Sequence, residues 1–170
     1  MLEIDGSQGE GGGQVLRTCL SLSALTGRPF HLHHIRANRS KPGLRPQHLT
    51  AVRAAAALCQ AHVAGDFLNA ATLEFHPQAA PQSGSYTFDV TQAAQGGSAG
   101  SVTLIFQTVF WPLLFAAETS QLTLRGGTHV PFSPPFHYLA EVFGPAVAKM
   151  GASFSANLTA WGWYPAGGGE

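Results

Sequence analysis

The sequence predicts an α/β (α+β) fold: repeated βαβαββ units, small sheets with two helices packed on one face. Two observations carry this. Short apolar segments of strand type alternate with longer segments of helical periodicity, the order that lays helices against a sheet. That order then restarts at an offset of 89 residues: Arg36 falls on Arg125, Pro46 on Pro135 and His48 on His137, and both copies run strand, basic loop, Pro-x-His, helix. Self-similarity at a fixed offset marks a repeated unit. It divides the chain into a first βαβαββ repeat over 1–92 and a second, incomplete repeat over 93–170.

The elements follow in order. Leu2 to Asp5 is a short strand. Gly11 to Leu25 is a helix, with Val15, Leu16, Cys19, Leu20 and Leu22 apolar and Gln14, Arg17 and Ser21 forming a polar stripe, the spacing of helix faces. "TGRP" stops it. Phe30 to Arg36 is a strand, followed by the loop "ANRSKPGLRP". Gln47 to Val63 is a second helix, with Leu49, Val52, Ala56, Cys59 and Val63 on one face. Thr72 to His76 and Tyr86 to Val90 are strands, separated by turn residues. After a Gly/Ser loop come a helix over Val102 to Ala117, a strand over Gln121 to Arg125, a helix near Phe136 to Met150 and a strand near Ser153 to Trp161.

Hydrophobic residues make up 45% of the chain, enough for a core, and charged residues only 11%, low against the usual quarter. The net charge is zero, so overall charge selects no polyanionic partner. Its distribution does. Seven of the nine Lys and Arg lie between Arg17 and Arg53, while no Asp or Glu occurs between Gly11 and Gly65. A carboxylate-free basic segment in a neutral chain attracts phosphate. Cys19 and Cys59 sit in apolar helical patterns and form no CxxC pair, which fits reduced, buried thiols of a cytoplasmic protein. "MLEIDGSQ" has no charged leader followed by a long apolar stretch, so no signal peptide is read there. Val102 to Ala117, the most apolar run, contains Gln107 and Pro112 and spans 16 residues. That is too short for a bilayer, and no membrane partner is expected. The final "WGWYPAGGGE" closes on a glycine run of the kind that joins two elements, and reads as the front part of something longer.

"DGSQGEGGGQVLRT" places five glycines between Gly6 and Gly13, with Glu10 inside the run and Arg17 after it. It is not a Walker loop, because no Lys precedes Ala37, and it is not a dinucleotide loop, because Gln14 stands where G-x-G-x-x-G needs its third glycine. What remains is a glycine-rich strand-to-helix junction. Bare N–H groups at a helix start suit an anion; a close-packed turn needs the same small residues, and both readings stand. Glu10 serves either as a helix N-terminal charge or, with a bridging divalent cation, beside a phosphate. Arg36, Arg39, Lys41, Arg45, Gln47 and His48 gather in "IRANRSKPGLRPQHL", where arginine forks match phosphate oxygens. Few aromatics are interleaved with them, so base stacking is not indicated. In "HLHHI", strand alternation puts His31 and His33 on one face and His34 on the other, and no Cys/His spacing completes a zinc set.

Five blocks, "DGSQGEGGGQVLRT", "IRANRSKPGLRPQHLTAVRAA", "GSAGSVTLIFQTVFWPLLFA", "LRGGTHVPFSPPFHYL" and "WGWYPAGGG", together resemble the RNA 3′-terminal phosphate cyclase family, from end to end of the chain. The resemblance implies repeated βαβαββ units and, in the later half of a longer chain, a small inserted domain and a C-terminal repeat. It implies an ATP-dependent ligase reaction. A histidine takes AMP from ATP, AMP passes to an RNA 3′-terminal phosphate, and the neighbouring 2′-OH displaces it to leave a 2′,3′-cyclic phosphate. The implied cofactors are ATP and a divalent metal (Mg²⁺ or Mn²⁺), and the implied partner is an RNA 3′-phosphate end. Glu10 resembles the acidic residue near metal and nucleotide. Arg17, Arg36, Arg39 and Gln47 resemble phosphate and substrate contacts, with Glu10, Arg17 and Arg39 supporting catalysis. Gln107 and Pro134 resemble nucleotide-binding positions. There are two departures. Pro46 precedes Gln47 where the family usually has an arginine, which Arg45 would replace from one position earlier. The adenylated histidine belongs to a block that these 170 residues do not contain, so the stretch alone is expected to be inactive. A non-catalytic cyclase-like factor in RNA processing or ribosome assembly, or an inactive remnant, is the alternative; loss of the Glu10 and Arg17 type of residue would mark it, and both are present. The motifs of an enolpyruvyl transferase, a third use of the same repeat, do not occur.

Overall fold

The computed structural model describes residues 1–93 and 98–170; part of the Gly/Ser loop expected before the third helix lies outside them. The first unit runs β1 (Leu2–Asp5), α1 (Gly13–Thr26), β2 (Phe30–His33), α2 (Pro46–Cys59), β3 (His62–Ala64) and β4 (Leu73–His76). This is the βαβαββ order. The sheet order is β1-β2-β4-β3, with β1 parallel to β2 and the other pairs antiparallel. Alternation sorts its faces. Phe30, Leu32, Leu73 and Phe75 are buried under the helices, whereas Glu3, Asp5, His31, His33, Glu74 and His76 occupy the other parity and stay partly or fully exposed. Both helices therefore cover one face.

The strand read from the sequence as the last of the first repeat, β5 (Ser85–Asp89), belongs instead to a second sheet, because it pairs in parallel with β6 (Gln121–Arg125), from Ser85↔Gln121 to Asp89↔Arg125, and so opens the second unit. Sheet membership thus changes at Ser85. Between them runs α3 (Val102–Leu114). Thus β5–α3–β6 repeats β1–α1–β2, and α1 and α3 start at Gly13 and Val102, the offset read from the sequence. The matched side chains diverge in use: His48 is buried, while His137 is exposed and shares a hydrogen bond with His129 Nε2 (2.9 Å).

α2 is the keel. One side packs Leu49, Val52, Ala55 and Cys59 against α1 and the first sheet; the other packs Ala54 and Leu58 against Ile105 and Val109 of α3 and Val90. A third apolar cluster joins Phe110 of α3 to Val147, Ala152, Phe143 and Phe154. Cys19 and Cys59 are free thiols, both pushed up to about 11 by burial, and no helix among the described residues is long and apolar enough to cross a membrane.

Several elements differ from expectation, beginning with α1, which starts at Gly13 and not Gly11. The strand from Phe30 stops at His33, because His34 and Arg36 take φ of +54° and +55°. The second helix stops at Cys59: Gln60 reverses the chain at φ +52°, and Val63, read as part of the helix face, pairs with Phe75 in β3. α3 ends at Leu114, two residues after Pro112, whose ring cannot donate to the helix ladder. Ser153 to Trp161 makes no strand. Its end is held by Thr159 N–H to Glu170 O (2.9 Å) and a two-way exchange between Ala160 and Glu170, and the chain beyond it by a two-way exchange between Gly126 and Gly169. The last helical run is α4 (Phe136–Tyr138) and α5 (Gly144–Ala148), joined by a π-helical turn over Leu139–Phe143.

Candidate functional site

A cavity of about 880 Å³ opens between the two units, and seven residues that the family resemblance marks as site positions line it: Glu10, Arg17, Arg36, Arg39, Gln47, Gln107 and Pro134; Lys41 and Arg45 of the basic loop do not. The glycine-rich junction, the basic loop and the start of α2 form one wall. α3 and the segment from Phe132 to Phe143 form the other.

Gly11 to Gly13 meet the needs of a close-packed turn. A β-carbon on Gly12 would stand 2.9 Å from the Arg39 guanidinium, and one on Gly13 would collide with His48 Nε2 and stand 3.0 Å from Arg17. The glycines are needed because the side chains of Asn38, Arg39, His48 and Arg17 lie against the backbone. No side chain caps the start of α1 and no acid sits in its first turn, so its N–H groups and dipole face the cavity beside Arg17.

Arg17 is the least compensated of these groups. One guanidinium nitrogen donates to Gln14 Oε1 (3.1 Å), while Nε is buried with no partner. Burial, then the nearby Arg36 charge, pull Arg17 down to about 10. Such a group gains most from an anion placed beside it. Arg36 is partly committed to its own loop, donating to the carbonyls of Lys41 (2.6 Å) and Gly43 (2.9 Å). Arg39 pairs with Glu10 across the cavity mouth. Arg45 does not take over from the arginine that Pro46 displaces: it turns away to Asn69 Oδ1 (2.7 Å) and is not part of the cavity lining. Pro46 sits at the first turn of α2, where its ring is tolerated.

His48 is a site residue that sequence reasoning left unassigned. Its Nδ1 accepts from the Arg45 backbone N–H (3.4 Å), so the proton of the neutral ring is on Nε2, facing Gly13. Burial and then the charges of Arg36, Arg17 and Arg45 hold it down at about 3. Pro-x-His in a basic loop was the available signal. Gln47 Oε1 accepts from the Ser101 N–H (2.9 Å), which ties the two walls together, and Thr103 Oγ1 donates to Pro134 O (2.7 Å), which holds the second wall to itself.

The opposite wall corrects the expectation about aromatics. Phe106, Phe110 and Trp111 of α3 line the cavity with Phe132, Tyr138 and Phe143, and Phe106 and Phe110 stack with centroids 5.1 Å apart. Phe132 is fully exposed at φ +61° on the rim, a strained position of the kind that collects at functional sites. These rings come from well beyond the basic loop, where local interleaving could not reveal them. The arrangement offers cations, free helix N–H groups and one carboxylate on one side and flat apolar surface on the other, the donor set for a phosphate attached to an aromatic base.

Comparisons agree with the resemblance. A family profile described as RNA 3′-terminal phosphate cyclase matches residues 8–170. Proteins named RNA 3′-terminal phosphate cyclase from Gloeothece citriformis, Methylococcus capsulatus and Sulfolobus acidocaldarius are 59%, 55% and 49% identical over all 170 residues, which cover 49%, 47% and 48% of those proteins. The chain spans about half the length of the curated relatives it matches. It belongs to the RNA 3′-terminal phosphate cyclase family.

Proposed function

We propose that these residues form the phosphate- and nucleotide-binding part of an enzyme that converts an RNA 3′-terminal phosphate to a 2′,3′-cyclic phosphate at the expense of ATP, through adenylyl-enzyme and RNA-adenylate intermediates. The observation that carries the reading is the buried, partnerless Nε of Arg17 in a cavity shared with Arg36 and Arg39. Arg17 and the N-terminus of α1 bind a terminal phosphate and offset the charge that builds on phosphorus during transfer. Gly12 and Gly13 let the backbone approach it. Arg39 swings from Glu10 to a phosphate oxygen, and Gln47 holds α2 against Ser101. Gln107, Pro134 and the aromatic wall take the nucleotide base. The reaction's nucleophilic histidine is not assigned to this stretch: His48, among the described residues the one histidine lining the cavity, is buried with its Nδ1 occupied.

The residues fit a divalent metal that arrives with its substrate. Among the described residues Glu10 is the one carboxylate on the lining, and Mg²⁺ is commonly held by one or two carboxylates together with substrate phosphates. Bound there, the metal would supply Lewis-acid neutralisation of phosphate charge, and Glu10 would hold it once Arg39 has moved to phosphate. The test is Arg39→Ala, measured with 3′-phosphorylated and 3′-OH oligonucleotides. Affinity for the first should fall about tenfold or more, with the second little changed. Equal affinities before and after the substitution would remove Arg39 from the phosphate site.

A further inference from the structure

A second convergence of polar side chains lies outside the cavity, at the C-terminal ends of β1 and β2. Asp5 ends β1, His33 ends β2, and the two are register partners. His34 follows at φ +54°, which sends its ring back over the strand end and not to the opposite face, as simple alternation would. His34 Nδ1 lies 3.1 Å from His33 Nδ1 and 3.1 Å from Asp5 Oδ1, and His33 Nδ1 lies 3.8 Å from the same oxygen. Three atoms at these spacings lie on a circle of radius about 2.0 Å, the length of a zinc–nitrogen or zinc–oxygen bond. A cation near its centre reaches all three and leaves coordination positions open to solvent. The two Nδ1 atoms face each other, so one must donate to the other; a cation would use both lone pairs. Asp5 is held in place by the Ser7 N–H (2.9 Å) and hydroxyl (2.8 Å), both donating to Oδ1, as outer partners orient a ligating carboxylate. Among the described residues no other group of His, Cys, Asp and Glu brings three ligand atoms this close.

We propose that Asp5, His33 and His34 bind a divalent transition cation of the zinc class through one carboxylate oxygen and two imidazole nitrogens, and that the ion clamps the root of the glycine-rich loop to the end of β2. Two imidazoles select zinc, cobalt or nickel over Mg²⁺, so this site differs in kind from Glu10 and does not rest on the proposed reaction. The loop root is already tied there by Gly6 N–H to His33 O (2.8 Å) and Asn38 Nδ2 to Ser7 O (3.0 Å). The ion would add a cross-link between the same two segments.

The experiment is titration of the metal-free full chain with Co²⁺ and Zn²⁺, with Mg²⁺ as the control ion. Expected are one visible d–d absorption band that saturates at one Co²⁺ per chain, displacement by Zn²⁺ and not by excess Mg²⁺, and slower amide exchange at Gly6 and Ser7 with Zn²⁺ bound. His33→Ala and His34→Asn should each weaken binding at least tenfold. Asparagine keeps the left-handed backbone accessible, so the second variant removes the ligand without refolding the turn. Ser7→Ala should cost about tenfold, and His31→Ala, which removes the neighbouring histidine paired with Glu3 (2.7 Å), less than twofold. Absence of the band, or equal weakening by His31→Ala and His33→Ala, would overturn the site.

Discussion

Arg17 carries the sharpest tension between stability and binding. Its Nε is buried without a partner, and an orphaned polar group costs on the order of 1–3 kcal/mol. Arg17→Met keeps the apolar stem and removes that cost. The variant should be more stable to urea by about 1 kcal/mol while losing at least tenfold in affinity for a 3′-phosphorylated oligonucleotide. Lower stability would show that the arginine is satisfied in solution. His48 gives a pH signature. Its folded value is about 3 against 6.5 for the free side chain, so on acidification the unfolded chain takes up the proton first. Stability should therefore be fully present above about pH 6.5 and fall as pH drops toward 3, with a slope of up to about 1.4 kcal/mol per pH unit. Asp5, held down at about 2, loses its contribution only below about pH 4. Urea midpoints between pH 7 and pH 5 thus report histidine and not Asp5; His129, also lowered by desolvation and by His137, acts in the same direction, so His48→Gln should flatten that part of the profile in part.

At the scale of elements, α2 shows what a helix end demands. Arg45 leads in extended, Pro46 occupies the first turn, and Gln60 ends the helix in the left-handed region with its N–H donating to Ala56 O. A β-branched or long side chain is disfavoured there, whereas glycine is at ease. Gln60→Gly should raise the unfolding free energy by roughly 0.5–1 kcal/mol, read as a higher Tm with an unchanged cavity; a lower Tm would mean that the glutamine side chain is the real cap. α3 illustrates the opposite case, a helix whose two faces are both apolar for different reasons. Ile105 and Val109 are buried against α2 and β5–β6, while Phe106, Phe110 and Trp111 turn to the cavity. Nothing in the run "VTLIFQTVFWPLL" separates these faces, since both are hydrophobic.

For the whole molecule, the cavity exists because two similar units meet along α2 and α3. Their polar link is Gln47 Oε1 accepting from the N–H of buried Ser101. Gln47→Ala leaves that donor unsatisfied. It should cost about 1–3 kcal/mol and speed amide exchange at the first turn of α3 more than in β1 or β2. Uniform exchange across both units would mean that the contact is not a hinge point. The seven site positions read from the sequence come from four separate blocks, yet all face this one space. The glycine-rich junction and the basic loop were legible because glycine runs and arginine clusters are local patterns with local physical causes, whereas Gln107 and Pro134 followed only from the family resemblance.

By itself the sequence determined most of the element order, the offset at which β5–α3–β6 follows β1–α1–β2, the free thiols and the basic character of one cavity wall, but not β3 or the irregular chain from Ser153 to Trp161. Each depends on residues close together in the chain: apolar periodicity for helices and strands, absent β-carbons where guanidinium groups lie against backbone, basic residues concentrated in one loop. Only the tertiary structure decided three things. It set which apolar residues of α3 are core and which are wall, because that depends on a partner helix packing against one side. It brought the aromatic residues after Phe132 opposite the arginines, because that needs the second unit to fold back over the first. And it turned His34 onto His33 and Asp5, because a left-handed histidine at a strand end breaks the two-residue alternation from which faces are read, without any glycine to announce it.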